Sequence, residues 1–285
     1  MLFIFEWINS EPVMLDYSDR VMISDEEKEE YLGFVIEVSR AAGRATLPFF
    51  RAEVEASNKL SGQMYDPVTQ ADLVCEKILR EAIDSRYPQH GIYGEEFGFK
   101  EGNGLTWVID PIDGTRAFMA GLLHWGVLVA LFDGQKPILG LMYQPYTEEL
   151  WFGDTTSASF TSSNDQRLLK TSNKKGLESA ILGTTSHRFF ENKTGDFNLL
   201  EDAVRISTYG GDCYLYAMLA MGQIDIVIDS GLKPYDIQPL IPIVEGAGGI
   251  VTSSEGGNGS LGGTIVASAN GELHREVLRA FNGSA

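Results

Sequence analysis

Cations are scarce in this sequence: 22 Lys and Arg stand against 40 Asp and Glu in 285 residues, a formal net charge of −18. That deficit excludes the usual nucleic-acid binder and the usual ligand of anionic membranes, because both rely on basic patches. Part of the negative excess is of a kind that bound cations neutralise. Cysteine is scarcer still. Cys75 and Cys213 are the only two and lie far apart, so a disulfide framework is not expected and a reducing compartment fits. No apolar run reaches the roughly 18 residues of a membrane span. The opening Met1-Leu2-Phe3-Ile4-Phe5 has no Lys or Arg before it and is cut by Glu6, which is too short and wrongly charged for a secretory signal. A cytoplasmic location is the expectation. Residues 1–20 read as an N-terminal extension, with Met14 and Met22 as alternative starts. Internal repeats and long low-complexity tracts are also missing.

What is present is ample apolar material, 44% of residues, enough for a large core built as one domain or two coupled halves. Ser24 followed by Glu27 forms a capping-box pattern, and Tyr31, Leu32, Val35, Ile36 and Val38 continue it at helical spacing. A second helix is expected near Thr69, with Leu73, Ile78, Leu79, Ala82 and Ile83 inward and Asp72 in its first turn. From Thr106 to Phe152 the pattern turns to strands. Val127–Phe132, the turn signal Asp133-Gly134 and Ile138–Tyr143 read as an antiparallel hairpin. The Ser-, Thr-, Asn- and Lys-rich stretch from 153 to about 178 marks the boundary, giving an N-terminal half over 21–152 and a C-terminal half over 153–285. In the second half, strands are expected at Ala180–Thr184, Ile224–Ile228, Ile250–Thr252 and Thr264–Ser268. Helices are expected at Tyr214–Met221 and Asp236–Glu245, the latter bent or shortened at Pro242, while Pro239 is tolerated in a first turn. Mixed helices and strands with a clear hairpin favour an α+β layered fold over a pure parallel sheet.

The chemistry concentrates in Trp107-Val108-Ile109-Asp110-Pro111-Ile112-Asp113-Gly114-Thr115. An apolar strand ends in two carboxylates three residues apart, with a Gly-Thr pair directly after. Carboxylates suit hard divalent cations, which take oxygen ligands, and the Gly114 and Thr115 amides can face a phosphate if they open a helix. Asp72, Glu95 and Asp236 also sit where the chain changes direction. Taken singly, each of these acids reads as an ordinary cap or solvated side chain. The six-residue order Asp-Pro-Ile-Asp-Gly-Thr shifts the balance toward metal-assisted attack of water on a phosphate monoester, with Pro111 halting the strand and re-aiming Asp113. Thr115 and Asp72 are the partners expected to orient and deprotonate that water. The D-x-x-D spacing argues against a covalent aspartyl-phosphate route. Cys213 reads as a small packed hydrophobe, and His124 and His187 have no paired ligand spacing. Trp125 and Tyr214 are either pocket walls or core.

At these residues the chain resembles the lithium-sensitive, Mg²⁺-dependent inositol monophosphatase family. Asp66-Pro67-Val68-Thr69-Gln70-Ala71-Asp72, Gly94-Glu95-Glu96, Asp110–Thr115, Tyr235-Asp236 and Glu245–Gly249 carry the likeness in order, over nearly the whole chain after about residue 25. The resemblance implies a layered αβαβα sandwich and two or three Mg²⁺ ions. Glu95, Asp110 and the Ile112 carbonyl would hold one, Asp110, Asp113 and Asp236 a second, and Glu95 a looser third. Phosphate would lie on the Gly114 and Thr115 amides. Within the family, Gly210–Tyr216 and Ser230–Asp236 resemble the histidinol-phosphate phosphatase branch, although Asp229 stands where that branch usually has Glu. Asp212, Cys213 and Asp229 would then border the substrate beside Asp113 and Asp236, the acids accepting from its ammonium and imidazole. The alternatives left open are an inositol or other small sugar phosphate as substrate, or a catalytically silent relative. The implied partner is a small phosphorylated metabolite, with neither nucleic acid nor membrane, and the family is commonly homodimeric.

Overall fold

The computed structural model describes residues 3–8, 11–16, 21–52, 56–58, 67–190 and 194–283. Strands β1 (Phe3–Ile8) and β2 (Glu11–Asp16) pair as an antiparallel hairpin. The remainder of the extension expected over residues 1–20 lies outside the described residues, as does Asp66. Helix α1 (Asp25–Thr46) opens on the expected capping box: Ser24 Oγ accepts the Glu27 N–H at 3.2 Å and the Glu27 carboxylate accepts the Ser24 N–H at 2.7 Å. Tyr31 and Val35 are buried, while Leu32, Ile36 and Val38 flank them half-buried. Strands β3 (Ala56–Asn58) and β4 (Pro67–Thr69) pair and lead into α2 (Gln70–Arg86).

The first sheet follows: β5 (Gly91–Gly94), β6 (Gly98–Lys100), β7 (Thr106–Asp113), then one turn of helix α3 (Thr115–Met119), and β8 (Gly126–Phe132), β9 (Pro137–Gln144), β10 (Glu149–Gly153), β11 (Ala158–Thr161) and β12 (Gln166–Leu168). Its order is β12-β11-β10-β9-β8-β7-β5-β6, antiparallel except where β5 lies parallel to β7. The hairpin β8–β9 is buried at every position, as near-continuous apolar runs require when both faces of a strand are covered. Asp133 Oδ1 closes its turn by accepting the N–H groups of Gln135 and Lys136. The polar stretch from 153 supplies β11 and β12 to this sheet rather than separating the halves. Asp154 folds the chain back through Oδ1, which accepts the Thr156 and Ser157 N–H groups, so sequence polarity there marks a turn and an edge. The passage between sheets falls between Leu168 and Ile181.

The second sheet is built from β13 (Ile181–Thr184), helix α4 (Thr194–Ala203), β14 (Ile206–Tyr209), α5 (Cys213–Ala220), β15 (Ile226–Leu232), α6 (Pro234–Ile237), α7 (Leu240–Gly246), β16 (Ile250–Ser253), β17 (Gly263–Ser268) and α8 (Gly271–Phe281). Its order is β14-β13-β15-β17-β16, with β13 parallel to its neighbours and the rest antiparallel. The helix expected at Asp236–Glu245 is two helices, and the break falls at Pro239 instead of Pro242. Pro239 caps α7, and Pro242 then sits in its first turn, where a missing N–H is harmless.

Five layers result, an α+β sandwich. Helices α1 and α2 cover one face of the first sheet, around Tyr31, Leu79, Trp107 and Leu131. Helices α5, α6 and α7 fill the space between the sheets with Leu219, Ile237, Leu240 and Val244. Helices α4 and α8 close the outer face of the second sheet through Phe197, Leu200, Leu273 and Phe281. No helix among the described residues is long and apolar enough to cross a membrane. Cys75 and Cys213 are free and buried.

Candidate active site

The site grows from a defect in β7. Asp110 pairs with Leu128 and Asp113 with Gly126, so three steps on β7 match two on β8. This bulge replaces the expected strand stop: Pro111, which has no N–H to give a ladder, sits inside the bulge while pairing resumes beyond it. Asp110 Oδ1 spans the proline by accepting the Ile112 N–H at 3.0 Å. Gly114 takes φ +83°, and a Cβ there would stand 2.4 Å from the His124 carbonyl oxygen, so only glycine turns the chain into α3. Thr115 Oγ donates to the Ile112 carbonyl at 3.1 Å.

Asp236, in the first turn of α6, meets these residues from the other side of the molecule, its carboxylate accepting the Lys233 N–H at 2.7 Å. One carboxylate oxygen each of Asp110, Asp113 and Asp236 lies within 4.8 Å of the others. Burial and mutual repulsion raise all three acids. Asp110, only 2% exposed, is pushed well above its ordinary value by burial, then by Glu95, Asp113 and Asp236. Asp236 follows the same direction for the same reasons. Asp113 rises to about 6 through burial, moderated by the Cys213 N–H it accepts at 2.7 Å. Three hard oxygen donors crowded this way fit a divalent cation, which would relieve the repulsion that the bare carboxylates carry.

A cavity of about 700 Å³ opens above the cluster. Glu95, Asp110, Ile112, Asp113, Gly114, Thr115, Asp212, Cys213, Asp229 and Asp236 all border it, so the fold brings together nearly every site residue expected from the sequence. Asp72 is the exception. It is fully buried at the start of α2, outside the cavity wall, and its Oδ2 accepts the Thr69 N–H and hydroxyl at 2.8 and 2.6 Å; α3 packs against the neighbouring β4. Glu95 follows β5 directly, and its N–H donates to the Ile109 carbonyl at 3.2 Å, one residue from Asp110.

The far wall belongs to the second sheet. Asp229, in β15, is 1% exposed; its Oδ1 accepts the Thr185 N–H at 2.6 Å and the Thr184 hydroxyl at 3.2 Å. Its Oδ2 and the Tyr216 hydroxyl are both buried with no other hydrogen-bond partner, and the hydroxyl lies close enough to donate to Asp229 itself. Burial lifts Asp229 to about 7, against the lowering by Thr185. Asp212 precedes α5 at φ +44° and is likewise raised to about 7 by burial and by Asp113. Burial and Asp113 push the Cys213 thiol up, so it packs as an unreactive side chain. Trp125 lies in the core against Phe50 and Phe118, Tyr214 packs on Trp151, His124 is exposed and His187 meets Asn198 at 2.8 Å. Sequence reasoning passed over Thr184, Thr185 and Tyr216. A Thr-Thr pair ending a strand was the available hint for the first two; Tyr216 carries none.

A cluster of three carboxylates, two on a bulged strand and one on a facing helix, beside a polar cavity in a layered sandwich, fits a metal-dependent hydrolase. The family model of the inositol monophosphatase family matches residues 27–284. The chain belongs to that family and with it to the phosphomonoester hydrolases. It is 36% identical over 272 residues to the bifunctional phosphatase IMPL2 of Arabidopsis thaliana, covering 91% of this chain and 77% of that one. It is 31% identical over 256 residues to a histidinol-phosphatase of Chlorobaculum parvum, covering 88% and 96%. Among solved structures, an inositol monophosphatase from Zymomonas mobilis superposes with a TM-score of 0.80 at 33% identity, over 91% of this chain and all of that one.

Proposed function

We propose that this protein is a Mg²⁺-dependent phosphatase acting on L-histidinol phosphate, releasing L-histidinol and phosphate. The observation that carries the substrate reading is Asp229: a carboxylate buried in the cavity wall, with one oxygen held by Thr184 and Thr185 and the other facing only the Tyr216 hydroxyl. An ammonium or imidazolium on the substrate would give this acid a cationic partner, and the neighbouring Asp212 offers a second acceptor. The 31% identity to a histidinol-phosphatase points the same way.

Glu95, Asp110, Asp113, Asp236 and the Ile112 carbonyl would hold the metal. When bound, Mg²⁺ neutralises charge on the transferring phosphoryl group and acidifies the attacking water. The remaining work is positional. The Gly114 and Thr115 N–H groups receive the phosphate oxygens at the start of α3. Thr115 Oγ orients the water, whose oxygen attacks phosphorus as the P–O ester bond breaks and the departing alkoxide takes a proton from solvent water. Asp72, behind the cavity wall, receives the released proton through the Thr115 hydroxyl. The partner in this reading is a small metabolite rather than nucleic acid or membrane, and the family resemblance favours a homodimer, which sedimentation of the purified chain checks.

A second substrate class, inositol or sugar phosphates, is favoured by one observation: Arg116, Arg188 and Lys233 also border the cavity and oppose a cationic substrate. Mg²⁺-dependent phosphate release from histidinol phosphate and inositol 1-phosphate, measured side by side, separates the two. A preference of about 100-fold for histidinol phosphate, roughly 3 kcal/mol in transition-state binding, is expected. Preference for the inositol ester would overturn the substrate reading. No release from either, with metal bound, would leave a silent metal-binding relative.

A further inference from the structure

The Glu95 ligand stands on a three-residue turn, 95–97, between β5 and β6, and a turn on its own is a poor mount for a metal ligand. Helix α2 supplies the missing rigidity. Glu76, 0% exposed, points its carboxylate into that turn and accepts the N–H of Glu96 at 2.7 Å and of Phe97 at 3.2 Å. Arg80, one helical turn on, pairs with Glu76 Oε1 at 2.7 Å. The same guanidinium donates to the Gly98 carbonyl and lies 5.9 Å from the Phe97 ring centroid. The fit leaves no slack: a Cβ on Gly94 would stand 2.0 Å from Glu76 Oε1. A buried carboxylate with three donors, one of them cationic, is fixed in direction, and the two amides it holds directly follow Glu95.

The spacing adds a second point. Asp72, Glu76 and Arg80 recur every four residues and share one face of α2. The residue proposed to take the proton and the pair that clamps the Glu95 turn therefore ride on one rigid rod.

The geometry points to Glu76 and Arg80 as positioning residues for the metal centre: they hold the 95–97 turn so that Glu95 reaches the cation beside Asp110. They touch neither metal nor substrate. This inference rests on the metal reading above and concerns how the ligand is mounted.

Calorimetric titration of Mg²⁺ into the metal-stripped full-length protein, without substrate, tests it. Wild type is expected to bind, and Glu76→Gln to bind about tenfold more weakly, as loss of a ligand's outer support commonly does, with near-UV circular dichroism unchanged. Gly94→Ala, which pushes on the same carboxylate from the end of β5, is expected to weaken binding likewise and serves if Glu76→Gln does not fold. Because Glu76 acts through Glu95, Glu95→Gln and the double variant Glu76→Gln/Glu95→Gln should bind Mg²⁺ equally. Wild-type affinity in folded Glu76→Gln, or losses that multiply in the double variant, would overturn the positioning role while leaving the metal reading standing. Failure of the wild type to bind Mg²⁺ would remove both.

Discussion

Asp113 answers to two distant parts of the chain. Its backbone belongs to the β7 bulge, its carboxylate meets Asp110 and Asp236, and the Cys213 N–H, 100 residues away, fixes one of its oxygens at 2.7 Å. Asp113→Asn should therefore lower phosphate release at saturating Mg²⁺ by about 10²–10³-fold, the scale of losing one preorganised electrostatic partner; a near-normal rate would contradict its ligand role. Asp229 gives a prediction on pH. Its folded value of about 7 lies above the ordinary carboxylate range, so the folded protein holds a proton that the unfolded chain releases. The stability from this group is full below pH about 4 and fades as pH rises through about 7. Melts in chelator should show the wild type losing stability across that window and Asp229→Asn losing less; equal slopes would show that Asp229 is ionised at low pH. The Asp110–Thr115 motif was legible because its partners lie within six residues. The environment of Asp229 was not, because the end of an apolar run says nothing about Thr184 and Thr185, whose hydrogen bonds arrive from 44 and 45 residues away.

Secondary elements divide along the same line between near and far causes. The caps of α1 and α2 and the β8–β9 hairpin follow from local side chains, and the sequence pattern placed them correctly. The polar stretch after 153 and the prolines of 239–242 misled, because neighbours decide there. Edge strands tolerate polar residues, and which proline breaks the helix depends on how α7 seats. That seat is a pair of glycines facing each other across β9 and β10, Gly140 and Gly153. A Cβ on Gly140 would stand 2.0 Å from the Pro239 carbonyl oxygen, and one on Gly153 2.5 Å from that of Pro242. Backbone against backbone cannot yield as a side-chain tip can, so Gly140→Ala should destabilise the protein by about 1–3 kcal/mol. A thermal melt reads this as a Tm lowered by several degrees, roughly 2–4 °C per kcal/mol for a protein of this size; an unchanged Tm would show that α7 has room to shift.

Taken whole, the molecule is tied together at the site and beside it. The Cys213–Asp113 bond ties α5 to the first sheet at the cluster, and the Tyr214 hydroxyl donates to Glu149 of β10 at 2.6 Å. Helices α5 and α7 bury their apolar faces against both sheets. One cooperative transition is therefore expected, with far-UV circular dichroism and tryptophan fluorescence melting together; separated transitions would show that the halves fold independently. Mg²⁺ should raise the melting temperature, since a ligand at 100 times its Kd adds about 2.7 kcal/mol, and Asp236→Asn should shrink that gain. The layered class was readable from the mixture of helices and strands, and the strand order was not, since pairings such as β15 with β17 join segments more than 30 residues apart.

The span of the cluster, from Asp110 to Asp236, bears on how the protein is made. A ribosome delivers the first two carboxylates while the third, more than a hundred residues later, is still untranslated. A chain halted in between carries the signature motif and yet lacks Asp236. On the proposed metal reading competence arrives late and all at once, and an abandoned or clipped product, short of one ligand, should release no phosphate.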